Sequence, residues 1–332
     1  MVTHLYDSST DSPEVQDARL QPARAVTDAH IPCLVWAEDA LSFVHCVPTV
    51  LFALQILVPD EYVEAAATAI VSHLPYKQMT EPDSSWLDYR FVDASEPSCF
   101  PWSVFLQHIS PHERAEDDPE KIFVHPQSYF SVDVRDPSLS VSLVPPLPAH
   151  NTSIRFPILA AFLDSMIATQ LEPPIGYRHW RFTQRLKVYI GYLMTYSPAL
   201  RADPRVLPNG ELEPGHAKVM NSLKAENRHY LDMALRGTSK GWLPEVQERR
   251  AILEKIGRFA EAPKPLPKVK RHPSVRHFRT LHTSARTQLG SSDEIGLRRR
   301  CHMSTSFAIG PYAREMMRFR RRVPSVISLG IR

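Results

Sequence analysis

The charge of the chain changes sign near residue 262, and this break confines a compact fold to the residues before it. From Pro263 to Arg332 there are 16 Lys and Arg against three Asp and Glu, a balance of +13. Residues 1–262 carry 23 basic against 33 acidic side chains, a balance of −10. A basic tail on an acidic body can bind nucleic acid, an anionic surface or an acidic protein. The tail opens with Pro263-Lys264-Pro265-Leu266-Pro267-Lys268, a run that excludes helix and favours extended geometry. Residues 263–332 are therefore expected to be a disordered basic tail, with Arg298, Arg299 and Arg300 and then Arg320, Arg321 and Arg322 as its densest contact clusters.

Before the break, 262 residues are enough to bury a sizeable core. The chain has only 11 Gly but 30 Pro, so segments begin and stop at prolines more than they turn through glycines. Glycine-rich phosphate loops are excluded by the same count, and neither G-x-G-x-x-G nor G-x-x-x-x-G-K-[ST] occurs. Residues 1–28 are rich in Ser, Thr, Asp and Pro without periodicity and read as a disordered leader.

Residues 29–150 read as an α/β core. Ile31 to Trp36 is a short buried strand, Glu38 to Cys46 a helix, and Val50 to Val58 a central strand apolar on both faces. Pro59 ends that strand, and Asp60 is placed to cap a helix reaching about Leu74 with Val63, Ala66, Ile70 and Leu74 on one stripe. Further on, Tyr89 to Val92 has strand character, and His108 to Pro119 reads as a surface loop. Two alternating runs, Tyr129 to Val134 and Leu139 to Val144, flank Arg135-Asp136-Pro137-Ser138 and are expected to form a hairpin. Residues 151–262 read as helical and packed on the core. Their helices are expected from Phe156, over about His179 to Tyr196, Pro214 to Leu235 and Pro244 to Phe259, punctuated by prolines. Strands first and helices after make an α+β class.

The succession Val35-Trp36-Ala37-Glu38-Asp39-Ala40-Leu41, Val47-Pro48-Thr49, the strand closing on Val58-Pro59-Asp60 and the stretch Arg155 to Phe162 resembles a family. It is similar, over about residues 30–200, to the nucleotidyltransferase-like proteins that occur in many copies in mushroom-type fungi. The resemblance implies a nucleotidyltransferase-like fold, a small mixed sheet with helices. In that family a Gly-Ser or Gly-Gly pair on the first helix holds phosphates, and a D-x-D on the next strand binds metal. Two carboxylates on one strand face can grip Mg²⁺ and let it bridge transferring phosphates. Here Ala37-Glu38 stands where the small pair belongs, and Ala53 and Gln55 stand where the two acids would be. Alanine ligates no metal. The resemblance thus implies a domain lacking its metal acids, with no cofactor, kept as a binding or regulatory module. Its cleft would be lined by Glu38, Asp39, Ser42 and Gln55, with Asp133 in the place of a third acid.

Other constellations are weaker. His108, His112 and His125 lie near Cys99, but Pro111 breaks any helical pairing of the first two, so scattered loop histidines are expected rather than a zinc site. Asp88 and Asp93 could join Glu38 and Asp39 as paired carboxylates, yet nothing fixes their separation. Ser42 lacks a G-x-S-x-G context. Arg178-His179-Trp180-Arg181-Phe182 interleaves bases with aromatics as single-strand binders do, although Trp180 and Phe182 at a helix start read first as core or interface. Cys33, Cys46, Cys99 and Cys301 show no C-x-x-C, and reduced thiols are expected. The polar, acidic N-terminus and the lack of an apolar span point to a cytosolic or nuclear protein. Residues 275–286 have the composition of a mitochondrial targeting segment but lie inside the chain. The competing expectation is an interaction protein whose tail binds nucleic acid or an acidic partner.

Overall fold

A computed structural model describes residues 5–79, 100–143, 151–174, 176 and 178–259. The chain divides into two units, Met1–Pro267 and Lys268–Arg332, and every described residue belongs to the first. That unit is mixed α+β. Among the described residues it holds a five-stranded mixed sheet, a two-stranded ribbon and eight helices.

The leader expected over residues 1–28 is instead largely a helix, α1 (Pro13–Asp28). Ser12 caps it by accepting from the Val15 amide, and Pro13 occupies the first turn, where its missing N–H costs nothing. Pro22 removes one hydrogen bond inside the helix. Leu20, Ala23 and Val26 are fully buried on its inner face, and their burial outweighs that loss. The sequence misleads here because the apolar stripe is narrow and is shared with Gln16 and Arg19, both also buried.

After α1 come β1 (Leu34–Trp36), α2 (Ala37–Phe43), β2 (Leu54–Val58), a 3₁₀ turn over Asp60–Tyr62 and α3 (Val63–His73). Strand β2 is buried at all five positions, as its continuous apolar run requires. Asp60 does not cap α3; its carboxylate accepts from the Ser128 amide at 3.0 Å. The sheet then gains β3 (Tyr76–Met79), β4 (Val104–His108) and β5 (Lys121–Pro126) and has the order β1-β2-β5-β4-β3. The β2–β5 pair is parallel and the other three pairs are antiparallel. Neither β4 nor β5 was legible as a strand in sequence, although the polar stretch between them is a loop as expected.

The expected hairpin over 129–144 does not form. Gln127–Phe130 and Pro137–Leu139 are 3₁₀ turns, and β6 (Ser140–Val141) pairs instead with β7 (Phe156–Pro157). The alternation of Tyr129, Phe130, Val132 and Val134 reflects burial against the core, with no partner strand beside it among the described residues. Helices α4 (Leu159–Leu171) and α5 (Trp180–Tyr196) follow as the periodicity indicates. The long helix expected over 214–235 is two helices, α6 (Pro214–Ser222) and α7 (Ala225–Arg236). The break is held by Asp164 of α4, whose carboxylate accepts from the Lys224 amide at 3.1 Å and from the Asn227 side chain at 2.7 Å. Helix α8 (Trp242–Lys255) completes the described chain. No helix among the described residues is long and apolar enough to cross a membrane. The strand expected at 89–92 lies outside the described residues.

Aromatic packing ties the sheet to the helices. Trp36 of β1 lies 4.2 Å from Phe130, 5.3 Å from Phe162 of α4 and 6.3 Å from Tyr189 of α5, ring centre to ring centre. Such tilted and edge-on contacts are the favoured geometries for aromatic rings.

Candidate functional site

Strand β1 passes into α2 through Ala37, which has φ of +58°, the left-handed region that costs an alanine about 1–2 kcal/mol. That turn aims the two residues after it inward. Glu38 is 1% exposed and Asp39 fully buried, so both acids need partners or must be neutral.

Each acid meets an arginine. The Arg19 guanidinium of α1 grips Asp39 in a bidentate pair, Nε to Oδ1 and Nη2 to Oδ2, both 2.8 Å. Its Nη2 also donates to the Phe52 carbonyl at 3.0 Å. Glu38 receives the Tyr189 hydroxyl on Oε1, with Arg185 Nη2 at 3.2 Å from the same oxygen. Burial pushes the Glu38 carboxyl above its ordinary range, opposed by the Arg185 charge and the Tyr189 hydrogen bond. Arg185 lies 4.9 Å over the Phe52 ring and 5.6 Å over that of Tyr189. Phe52 therefore touches both arginines, by its carbonyl on one side and its ring on the other.

The remaining cleft residues of the sequence reading separate into two groups. Ser42 is buried in α2 and donates to the Asp11 carboxylate. Gln55 is buried in β2, directly across from Trp36, so its side chain shares the sheet face that Trp36 presents to α5. Ala53 precedes β2 and packs, partly buried, against the core. Asp133 is elsewhere: it is exposed, and its carboxylate accepts from the Arg135 amide at 3.0 Å as an ordinary turn aspartate does. It takes no part in the cluster, which corrects its expected role as a third acid.

Three members of the cluster were missed in sequence. Arg19 was hidden in the supposed leader. Arg185 and Tyr189 lie four residues apart and so share one face of α5, a signal that is present but indistinguishable from an amphipathic helix.

The histidines do not converge. His125 is buried among Phe100, Phe123, Tyr129 and Phe130, bonded through Nδ1 to Ser103 Oγ at 2.7 Å. Burial pushes its pKa down to about 3. His108 accepts from the Ser110 amide, and His112 is exposed. Among the described residues no group of three His, Cys, Asp or Glu could hold a metal ion. Of the aromatic-basic run, Phe182 is buried whereas Trp180 is 64% exposed, so of the expected core or interface placement Trp180 does not take the core one. Cys99, Asp88, Asp93 and the tail arginines, including Arg298, Arg299, Arg300, Arg320, Arg321 and Arg322, lie outside the described residues. Comparisons with protein-family models, with curated proteins and with solved structures found no match to this chain.

Proposed function

We propose that the body is a nucleotidyltransferase-like module that no longer transfers and serves as a binding or regulatory element. The order helix, strand, helix, strand, helix over α1 to α3, with β2 inside a mixed sheet, is compatible with such a core. The observation that carries the reading is the double ion pair at the start of α2. The turn at Ala37 stands where the family has its small phosphate-holding pair, and the two acids after it are closed off by Arg19, Arg185 and Tyr189. A phosphate entering there would have to displace side chains that already satisfy one another, and would meet two carboxylates. Ala53, just before β2, and Gln55 on that strand bring no charge to a cation.

Isothermal titration of the full chain with ATP and with GTP, with and without Mg²⁺, tests this. The expected result is no saturable, metal-dependent heat; Mg²⁺-dependent binding, or transfer of a labelled nucleotide to any acceptor, would return the domain to the active class. The charge reversal favours a second reading, in which residues 263–332 bind nucleic acid or an acidic protein. A gel shift comparing the full chain with a 1–262 truncation separates the two, since equal retardation by both removes the tail from consideration.

A further inference from the structure

A second polar cluster lies between the helices, built from the end of α4, the segment just before α5, the middle of α5, and from α7 and α8. Gln170 is 1% exposed and donates through Nε2 to the Tyr230 hydroxyl at 2.6 Å, while its Oε1 is buried without a hydrogen-bond partner. Trp242 donates from its ring nitrogen to the Leu171 carbonyl at 2.9 Å, which anchors α8 beside Gln170. The Arg178 guanidinium lies 4.9 Å over the Trp242 ring, and its Nε is also buried without a partner. Glu245 is buried and accepts from the Ser239 hydroxyl at 2.5 Å.

Lys187 of α5 lies within electrostatic reach of this cluster. It is half-buried, forms no hydrogen bond or ion pair with the described residues, and feels both Glu245 and Arg178. Burial lowers its pKa first, with the Arg178 charge adding to that and Glu245 opposing it. Two cations against one acid leave a net positive, partly desolvated region. Unmatched buried polar groups cost about 1–3 kcal/mol each, so Gln170 Oε1 and Arg178 Nε call for an occupant that matches them.

We propose that Gln170, Arg178, Lys187 and Tyr230 form a binding site for a small phosphate ester that carries a free hydroxyl, walled by Trp242 and Glu245. The phosphate oxygens accept from Arg178 Nε, from Lys187 Nζ and from the Tyr230 hydroxyl, whose own proton is left to donate because it already accepts from Gln170. Three donors supplied from three segments suit a tetrahedral oxyanion better than a planar carboxylate. The ligand hydroxyl donates to Gln170 Oε1, the one acceptor of the site that lacks a donor. Glu245 disfavours ligands with a second anionic group on its side. This site is independent of the α2 cluster and does not rest on the nucleotidyltransferase-like reading.

The test is isothermal titration of the full chain at constant ionic strength with sn-glycerol 3-phosphate, inorganic phosphate and glycerol as probes. Glycerol 3-phosphate is expected to give saturable heat, inorganic phosphate to bind more weakly, and glycerol not at all. Lys187→Gln and Arg178→Gln should each weaken glycerol 3-phosphate at least about tenfold, the loss of one charge-assisted hydrogen bond. Lys218→Gln, an exposed position on α6, should leave affinity unchanged. Gln170→Met should bring glycerol 3-phosphate down to the level of inorganic phosphate. No saturable heat with wild-type protein overturns the proposal. So does equal affinity in folded Lys187→Gln and Arg178→Gln proteins, which would assign the binding to the basic tail.

Discussion

Replacing Arg19 by methionine keeps most of the apolar stem and deletes the guanidinium. Arg19 is 5% exposed and Asp39 fully buried, so the variant leaves a carboxylate in the interior without its only bidentate partner, and the Phe52 carbonyl loses a donor as well. Breaking a buried pair by removing one member costs about 3–5 kcal/mol, because the charge left behind is uncompensated. Against a total stability of about 5–15 kcal/mol, that is a large share. For a body of this size each kcal/mol moves the thermal midpoint by about 2–4 °C, so Arg19→Met should melt on the order of 10 °C lower. Urea unfolding followed by far-ultraviolet circular dichroism measures the loss directly. The double variant Arg19→Met/Asp39→Leu should recover most of it, since replacing both members by apolar groups of similar volume is close to neutral. If residues 1–28 were the free leader their composition suggests, Arg19→Met would behave as a surface change, within about 0.5 kcal/mol of wild type. That result, or a double variant no better than the single, refutes the assignment of α1 to the core.

Two further outcomes follow from burial. Burial pushes the pKa values of His45 and His125 down to about 4 and about 3, below the ordinary 6.5. Each is therefore neutral when folded and takes up a proton on unfolding as pH falls below 6.5. The unfolded state binds more protons there, so stability should drop by about 1.4 kcal/mol per pH unit per histidine, down to about pH 4 for His45 and about pH 3 for His125. Urea midpoints at pH 7 and pH 4.5 measure the slope, and His125→Phe should lessen it; an unchanged slope would show that His125 is solvated. Asp164→Ala removes the acceptor of the Lys224 amide and of Asn227, and should cost about 2 kcal/mol. Circular dichroism should show the loss as a lower midpoint with α6 and α7 still helical, whereas a fusion of the two into one longer helix would contradict the capping role.

Much of the fold could be read before any coordinates. The continuous apolar run ending at Val58 identified β2 as a buried strand, because only a strand covered on both faces tolerates that pattern. The 3.6-residue spacing of Phe162, Leu163, Met166 and Ile167, and of Leu186, Ile190 and Leu193, likewise identified α4 and α5. Short elements were not legible. Lys121 to Pro126 is a strand because it pairs along β2, and Val104 to His108 because it pairs in turn along that strand, whereas Tyr129 to Val134 begins in a 3₁₀ turn and buries its apolar side chains in the core.

For the candidate site, the resemblance singled out Glu38, Asp39, Ser42, Gln55 and Asp133 as the lining of one cleft. It could not supply Arg19, 20 residues upstream of Asp39, or Tyr189, 151 residues downstream of Glu38. Whether a buried acid is a ligand-seeking charge or half of an ion pair depends on what the rest of the chain brings within about 3 Å of it. Sequence by itself therefore determined the acidic body, the basic tail, the central strand and the long helices, all of which follow from local spacing and charge. Tertiary structure alone decided that α1 belongs to the core, that Asp133 is a surface turn, and that the two acids of α2 are closed by arginines, because each rests on a distant partner.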